Sequence, residues 1–221
     1  MKLKDKDKNK DCKWQSFFFD QIHMHKQYSP HGDYDHMGEV INLVNDFKVD
    51  NVIFNCGEYN DLENELINVL DKKHIEYYSC IKELNIDEYK LQFLNTVEYD
   101  NDNDNDNSSV IYLNYNNYKF LFMGDASTTR EKDILEKYNL NNIDVLKIGH
   151  HGSKTSSSKT FIDKISPKYS IISVGKNNRY GHPNDSVLNN LEGSKIYRTD
   201  EDGSIMFKIK SNKLKKETCS P

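Results

Sequence analysis

Four side chains able to bind a metal ion fall within six residues. They are His31, Asp33, Asp35 and His36, in the run Ser29-Pro30-His31-Gly32-Asp33-Tyr34-Asp35-His36-Met37-Gly38. No other feature of the chain restricts its fold as strongly. Alternate residues of a turn-like segment can aim His31 and Asp33 at one cation. Asp35 and His36, at the start of a following helix, can then serve a second cation nearby. Imidazole nitrogen and carboxylate oxygen are donors that zinc and manganese accept. A purely structural use of four ionisable groups beside Val40, Ile41 and Val44 would carry an unneeded desolvation cost.

Periodicity predicts what surrounds this run. Val40, Ile41, Val44 and Phe47 have helical spacing over 38–47, as do Leu62, Leu66, Val69 and Leu70 over 61–73. Strands are expected at 52–54, 75–80 and 91–97. A hairpin is expected where 110–114 and 118–123 flank Asn116-Asn117, because asparagine tolerates the positive φ of a tight turn. Further on, helices are expected at 128–138, 157–165 and 186–191, and strands at 143–148, 169–174, 195–198 and 204–209. Strands and helices alternate without a glycine-rich phosphate loop, which describes one mixed α/β domain.

Three later stretches carry polar chemistry at the ends of apolar runs. Asp125 follows the 120–123 strand and Gly124, where a carboxylate can approach two ions and bridge them; helix N-capping is its alternative use. His150-His151 ends the 143–148 strand and precedes Gly152-Ser153. One imidazole could complete the second metal site while the other contacts substrate oxygens, and the residues alone do not say which. His182 lies in a Gly-His-Pro turn and could act as a general acid or a substrate contact. Asn178 and Arg179 could bind a phosphate oxygen, arginine through its forked donors. Ser153 and Lys154 are similarly placed.

Composition limits the functions available. The net charge of −5 supplies no basic face of the kind that holds DNA by charge alone, although bound cations would invert the local potential. The four cysteines are scattered without a CxxC pair, and ordinary reduced thiols are expected. No apolar run approaches the ~20 residues of a membrane-spanning helix, and no secretory signal opens the chain, so a soluble, cytoplasmic protein is expected. Residues 1–16 are expected to be disordered, while Phe17 to Phe19 could form a short strand or docking segment. The Asp/Asn run over 100–107 lacks the glycine and glutamate of an EF-hand and reads as a solvated loop. Lys208, Lys210, Lys213, Lys215 and Lys216 make a basic end that reads as a solvated tail over 211–221.

The ordered set of motifs resembles the metallo-β-lactamase superfamily, whose signature is His-x-His-x-Asp-His. Here Asp33 stands at the second histidine, a variant typical of the ComEC-type hydrolase domain of DNA-uptake competence proteins. Three stretches match that family in order: Phe122-Met123-Gly124-Asp125, Val145 through Ser153, and Ser173 through Pro183. Tyr197-Arg198-Thr199-Asp200 with Gly203 resembles its closing hairpin.

The resemblance implies an α/β fold, an αββα sandwich over 29–210, with 1–28 an atypical N-terminus. It implies two divalent metal ions, Zn or Mn, held by His31, Asp33, Asp35, His36, Asp125 and His151, with His151 favoured over His150 as the ligand. Asp35, His150 and His182 are the implied catalytic residues; Ser153, Asn178 and Arg179 are expected to touch substrate. The implied activity is that of a phosphodiesterase or nuclease.

Two departures qualify this. The half-sheet that normally precedes the first motif is almost absent, and 21–30, with His23 and His25, does not read as a buried strand. That half-sheet is expected to be missing or supplied by a partner chain. The superfamily's third-motif histidine is also absent; Asn107, Ser108 and Ser109 occupy its place, which tilts the site toward oxygen donors and manganese or loosely held zinc. A small-molecule esterase of phosphorylcholine esterase or lactonase type and a non-catalytic remnant are the competing readings.

Overall fold

Period-two alternation sends neighbouring residues of one strand into different cores. Val52 and Phe54 pack against helices, whereas Ile53 between them packs against Leu91, Phe93, Ile111 and Leu113. The computed structural model describes residues 26–28, 34–86, 88–97 and 104–219. Strand β1 (Lys26–Tyr28) is followed by the short helices α1 (Tyr34–Met37) and α2 (Val40–Asp46), then β2 (Asn51–Phe54), α3 (Asp61–Lys73) and β3 (Glu76–Ser79). The three strands form one parallel sheet in the order β1-β2-β3. Helix α3 has a capping box, in which Asn60 accepts from the Glu63 N–H while Glu63 accepts from the Asn60 N–H. Its Leu66 and Leu70 are fully buried and close, with Val40, Val44 and Phe54, the core on the helical side of this sheet.

The second sheet begins with β4 (Glu83–Ile86), β5 (Tyr89–Phe93), β6 (Ile111–Tyr115) and β7 (Tyr118–Phe122), all antiparallel neighbours. It continues through α4 (Thr128–Lys137), β8 (Val145–Lys147), α5 (Lys159–Ile165), β9 (Tyr169–Ile172), α6 (Asp185–Asn190) and β10 (Lys195–Arg198). Strands β7, β8, β9 and β10 run parallel in that order, each pair joined through one helix. Such crossovers are right-handed and advance in one direction, so all three helices lie on one face. There Leu121, Leu146 and Ile172 meet Ile134, Phe161, Ile165 and Val187. Each such side chain fully buried stabilises by about 1.5–3 kcal/mol.

Helix α7 (Thr199–Asp202) and the hairpin of β11 (Ser204–Lys210) and β12 (Lys213–Cys219) complete the described chain. Ile205, Phe207 and Leu214 cover Val145, Ile171 and Tyr197 on the face away from α4, α5 and α6. The layers are helix, sheet, sheet, helix. The core between the two sheets brings Ile53 of β2 against Leu91, Phe93, Ile111 and Leu113.

Several expectations need correction. Residues 213–219 are not a solvated tail: they pair with β11 along its whole length. Residues 26–28 form a strand, parallel to β2. The Asp/Asn run ends in a 3-10 turn, Asp104–Asn107, whose Asp106 is buried, bonded to the Ser127 hydroxyl and 3.8 Å from the Arg130 guanidinium. Cys56 and Cys80 are joined in a disulfide, and no cysteine among the described residues is free. No described helix is long and apolar enough to cross a membrane. The expectations for 1–16 and for Phe17 to Phe19 lie outside the described residues.

Candidate metal centre

In parallel sheets functional groups gather beyond the carboxyl ends of the strands, and the sequence motifs fall there. Asp125 follows β7, His150 and His151 follow β8, the 175–183 loop follows β9, and α1 with His36 follows β1. His31 and Asp33 lie outside the described residues. Asp35 falls within α1, and of its side chain nothing is described.

One donor atom each from His36, Asp125 and His151 lies within 4.8 Å of the other two. Asp125 is almost wholly buried; one of its oxygens stands 3.4 Å from His36 Nε2 and the other 3.8 Å from His150 Nε2. Its carboxylate therefore faces two imidazoles through two different oxygens, a disposition suited to bridging. His151 Nδ1 donates to the Ser173 carbonyl at 2.9 Å, which fixes the ring and leaves Nε2 as its lone-pair nitrogen. Two imidazoles and a buried carboxylate within that radius fit a divalent cation.

The turn that presents the histidine pair is conformationally demanding. His150 and His151 have φ of 46° and 54°, a region in which residues with a Cβ are uncommon. Gly152 follows at φ 83°, and a Cβ there would stand 2.7 Å from Pro183. The turn is held by the Gly124 carbonyl, which accepts from the His150 N–H, and by the Gly152 carbonyl, which accepts from the Asn184 N–H. Ser156 donates to the Gly149 carbonyl, while Glu131 of α4 accepts the N–H groups of Ser157 and Ser158. Burial raises the Glu131 pKa, and those bonds oppose the rise.

His182 approaches from the loop after β9, its ring 6.1 Å from that of His150. Its Nδ1 is buried and has no hydrogen-bond partner among the described residues. Burial lowers its pKa, and the neighbouring His150 and His151 act in the same direction against Asp125. Asn178 braces the turn: its carbonyl accepts from the His182 N–H, and its amide donates to the carbonyls of His182 and Gly175. Those bonds hold in the turn the same amide group that was expected to touch substrate. Ser153 is buried, and its hydroxyl bonds to Thr155 at 3.0 Å. It too braces a turn, while Thr155 meets His150 Nδ1 at 3.3 Å. Arg179 is exposed, with its guanidinium over the Tyr180 ring.

Sequence reasoning gave no role to Thr155, Glu131 or Lys147. Burial lowers the Lys147 ammonium to about 8, against the pull of Asp125. Its signal was available, because a lysine interrupts the otherwise apolar run from Val145 to Ile148. Nothing local distinguishes Thr155 or Glu131 from other polar residues.

Known proteins give this geometry a context. The pattern of the metallo-beta-lactamase superfamily matches residues 31–176. ComE operon protein 3 of Bacillus subtilis is 31% identical over 186 residues, covering 82% of this chain and 24% of that protein. Competence protein ComA of Neisseria gonorrhoeae is 36% identical over 124 residues, covering 55% and 18%. The chain thus spans about a quarter or less of the length of these relatives. Among solved structures, CmlA beta-hydroxylase superposes with a TM-score of 0.51 at 11% identity, over 78% of this chain and 42% of that one, a likeness of fold alone.

Proposed function

Because the chain belongs to the metallo-beta-lactamase superfamily, a superfamily of metal-dependent hydrolases, we propose that it hydrolyses phosphodiester bonds in DNA strands. The observation that carries this reading is the convergence of His36, Asp125 and His151 within 4.8 Å at the carboxyl ends of the strands. A relative named as a competence protein supports DNA as the substrate class. The net charge of −5 favours a small ester instead, and this is the second reading.

His36, Asp125 and His151, with His31, Asp33 and Asp35 of the first motif, would hold two divalent cations, Zn or Mn. A pair of such ions supplies water ionised near neutral pH and stabilises developing negative charge. The chain's own residues do the rest. Asp125 sets one oxygen toward His36 and the other toward His150, and the Ser173 carbonyl keeps the proton of His151 on Nδ1, so that Nε2 carries the lone pair a cation would take. His150, partly exposed and close to Asp125, can donate a hydrogen bond to a phosphoryl oxygen. His182, with its backbone fixed by Asn178, is placed to donate a hydrogen bond from its neutral ring to the leaving oxygen.

The test is the purified chain with Mn²⁺ or Zn²⁺, offered a single-stranded oligonucleotide and bis-p-nitrophenyl phosphate. Cleavage of both, abolished by Asp35→Ala, is expected. Cleavage of the small ester alone would favour the second reading; bound metal without turnover of either would overturn both.

A further inference from the structure

Tyr180 stands at the edge of the candidate centre with 67% of its surface exposed, more than any other large hydrophobic side chain in the described core or surface. Its surroundings set it apart from an ordinary surface tyrosine. Its ring lies 5.9 Å from that of His182, with the planes only 22° apart, and His182 in turn neighbours His150. The Arg179 guanidinium sits 4.9 Å from the ring centre and donates to the Tyr180 hydroxyl at 2.6 Å. The loop beneath is rigidly built, since Asn178 makes three bonds across it and Pro183 is buried against Gly152. A flat ring and a flat cation are thus held beside the reacting position by a braced turn.

We propose that Tyr180 and Arg179 form a stacking platform for a nucleobase next to the scissile phosphate, and that this platform selects single strands. A base offers its face to an aromatic ring only when it is not stacked inside a duplex, and such stacking tolerates any base. Arg179 adds a charge that can turn to the adjoining phosphate. The proposal rests on the phosphodiesterase reading, and it names what that site would recognise.

The test measures binding of the metal-free protein in EDTA by fluorescence anisotropy. The probes are a labelled single-stranded oligothymidine and a strand of the same length made of abasic sites. The wild-type protein is expected to bind the base-bearing strand about tenfold more tightly. Tyr180→Ala should lose that preference, and Tyr180→Phe, which keeps the ring, should retain it. Equal binding of the two strands by the wild type, no binding of either, or an unchanged preference in Tyr180→Ala overturns the platform. Failure of the hydrolase reading would show elsewhere, as absence of metal-dependent cleavage by the wild type.

Discussion

The backbone N–H of Asp125 is donated to the hydroxyl of Ser108, which is completely buried. This bond fixes the residue whose two oxygens face His36 and His150. Ser108→Ala removes the acceptor in a place that water does not reach, at an expected cost of about 1–3 kcal/mol. Urea unfolding measures the loss, and a midpoint equal to that of the wild type would show that the bond contributes nothing. The sequence showed serine where the superfamily has a histidine, but not that its hydroxyl meets a backbone group 17 residues further on. Asp106 was opaque for the same reason. Nothing local separates it from the other aspartates of its run, yet its carboxylate accepts from the Ser127 hydroxyl. Asp125 and the His150-His151 pair, by contrast, could be picked out because each follows an apolar strand; the choice of His151 within the pair came from the family resemblance alone.

Elements could be read from the sequence wherever burial imposes a period. Helix α3 matches its expected bounds because Leu66 and Leu70 repeat on one face and the Asn60–Glu63 box marks its start. Strand β4 was missed: two of its residues are exposed and two half-buried, so its side chains carry little hydrophobic signal. Strand β12 was missed because its lysines read as a tail, although pairing with β11 decides its form. Helix α4 makes a connection that no periodicity announces. Glu131 reaches across to the N–H groups of Ser157 and Ser158 and so ties the loop after the histidine pair. In Glu131→Gln one acceptor becomes a donor facing an N–H, and a loss of about 1–3 kcal/mol is expected. The pH dependence has a definite sign. The folded-state pKa lies above the ordinary 4.5, so the folded protein holds a proton that the unfolded chain has released. Stability from this group is complete below that value and is lost as pH rises through the folded-state pKa. The melting gap between wild type and Glu131→Gln should therefore be wider near about pH 4 than near about pH 7. A gap that widens with rising pH would contradict the burial argument.

At the scale of the whole molecule, the order of strands and helices points to one mixed α/β domain, and the αββα layering was what the family resemblance implied. How the small sheet is secured could be read from neither, because Cys56 and Cys80 lie 24 residues apart with no local motif between them. Their pairing is decided by the register of β2 on β3, in which Phe54 stands opposite Ser79 and delivers both cysteines to the same end. Helix α1, carrying His36, leaves the parallel strand β1 at that end as well. The disulfide thus ties together the chain segments that leave the carboxyl ends of β2 and β3. A cross-link of this span constrains the unfolded chain by about 3 kcal/mol. In a domain of this length, that corresponds to a melting temperature lower by roughly 6–12 °C without the link. Cys80 is exposed and open to a reductant, whereas Cys56 is buried. Melting of the oxidised protein should be followed alongside a thiol count and compared with oxidised Cys56→Ser/Cys80→Ser, a comparison that separates this link from the disulfide-bonded Cys219. If the double variant melts with the oxidised wild type, the link does not stabilise the fold, and the small sheet is held by the Val40, Leu66 and Leu70 core.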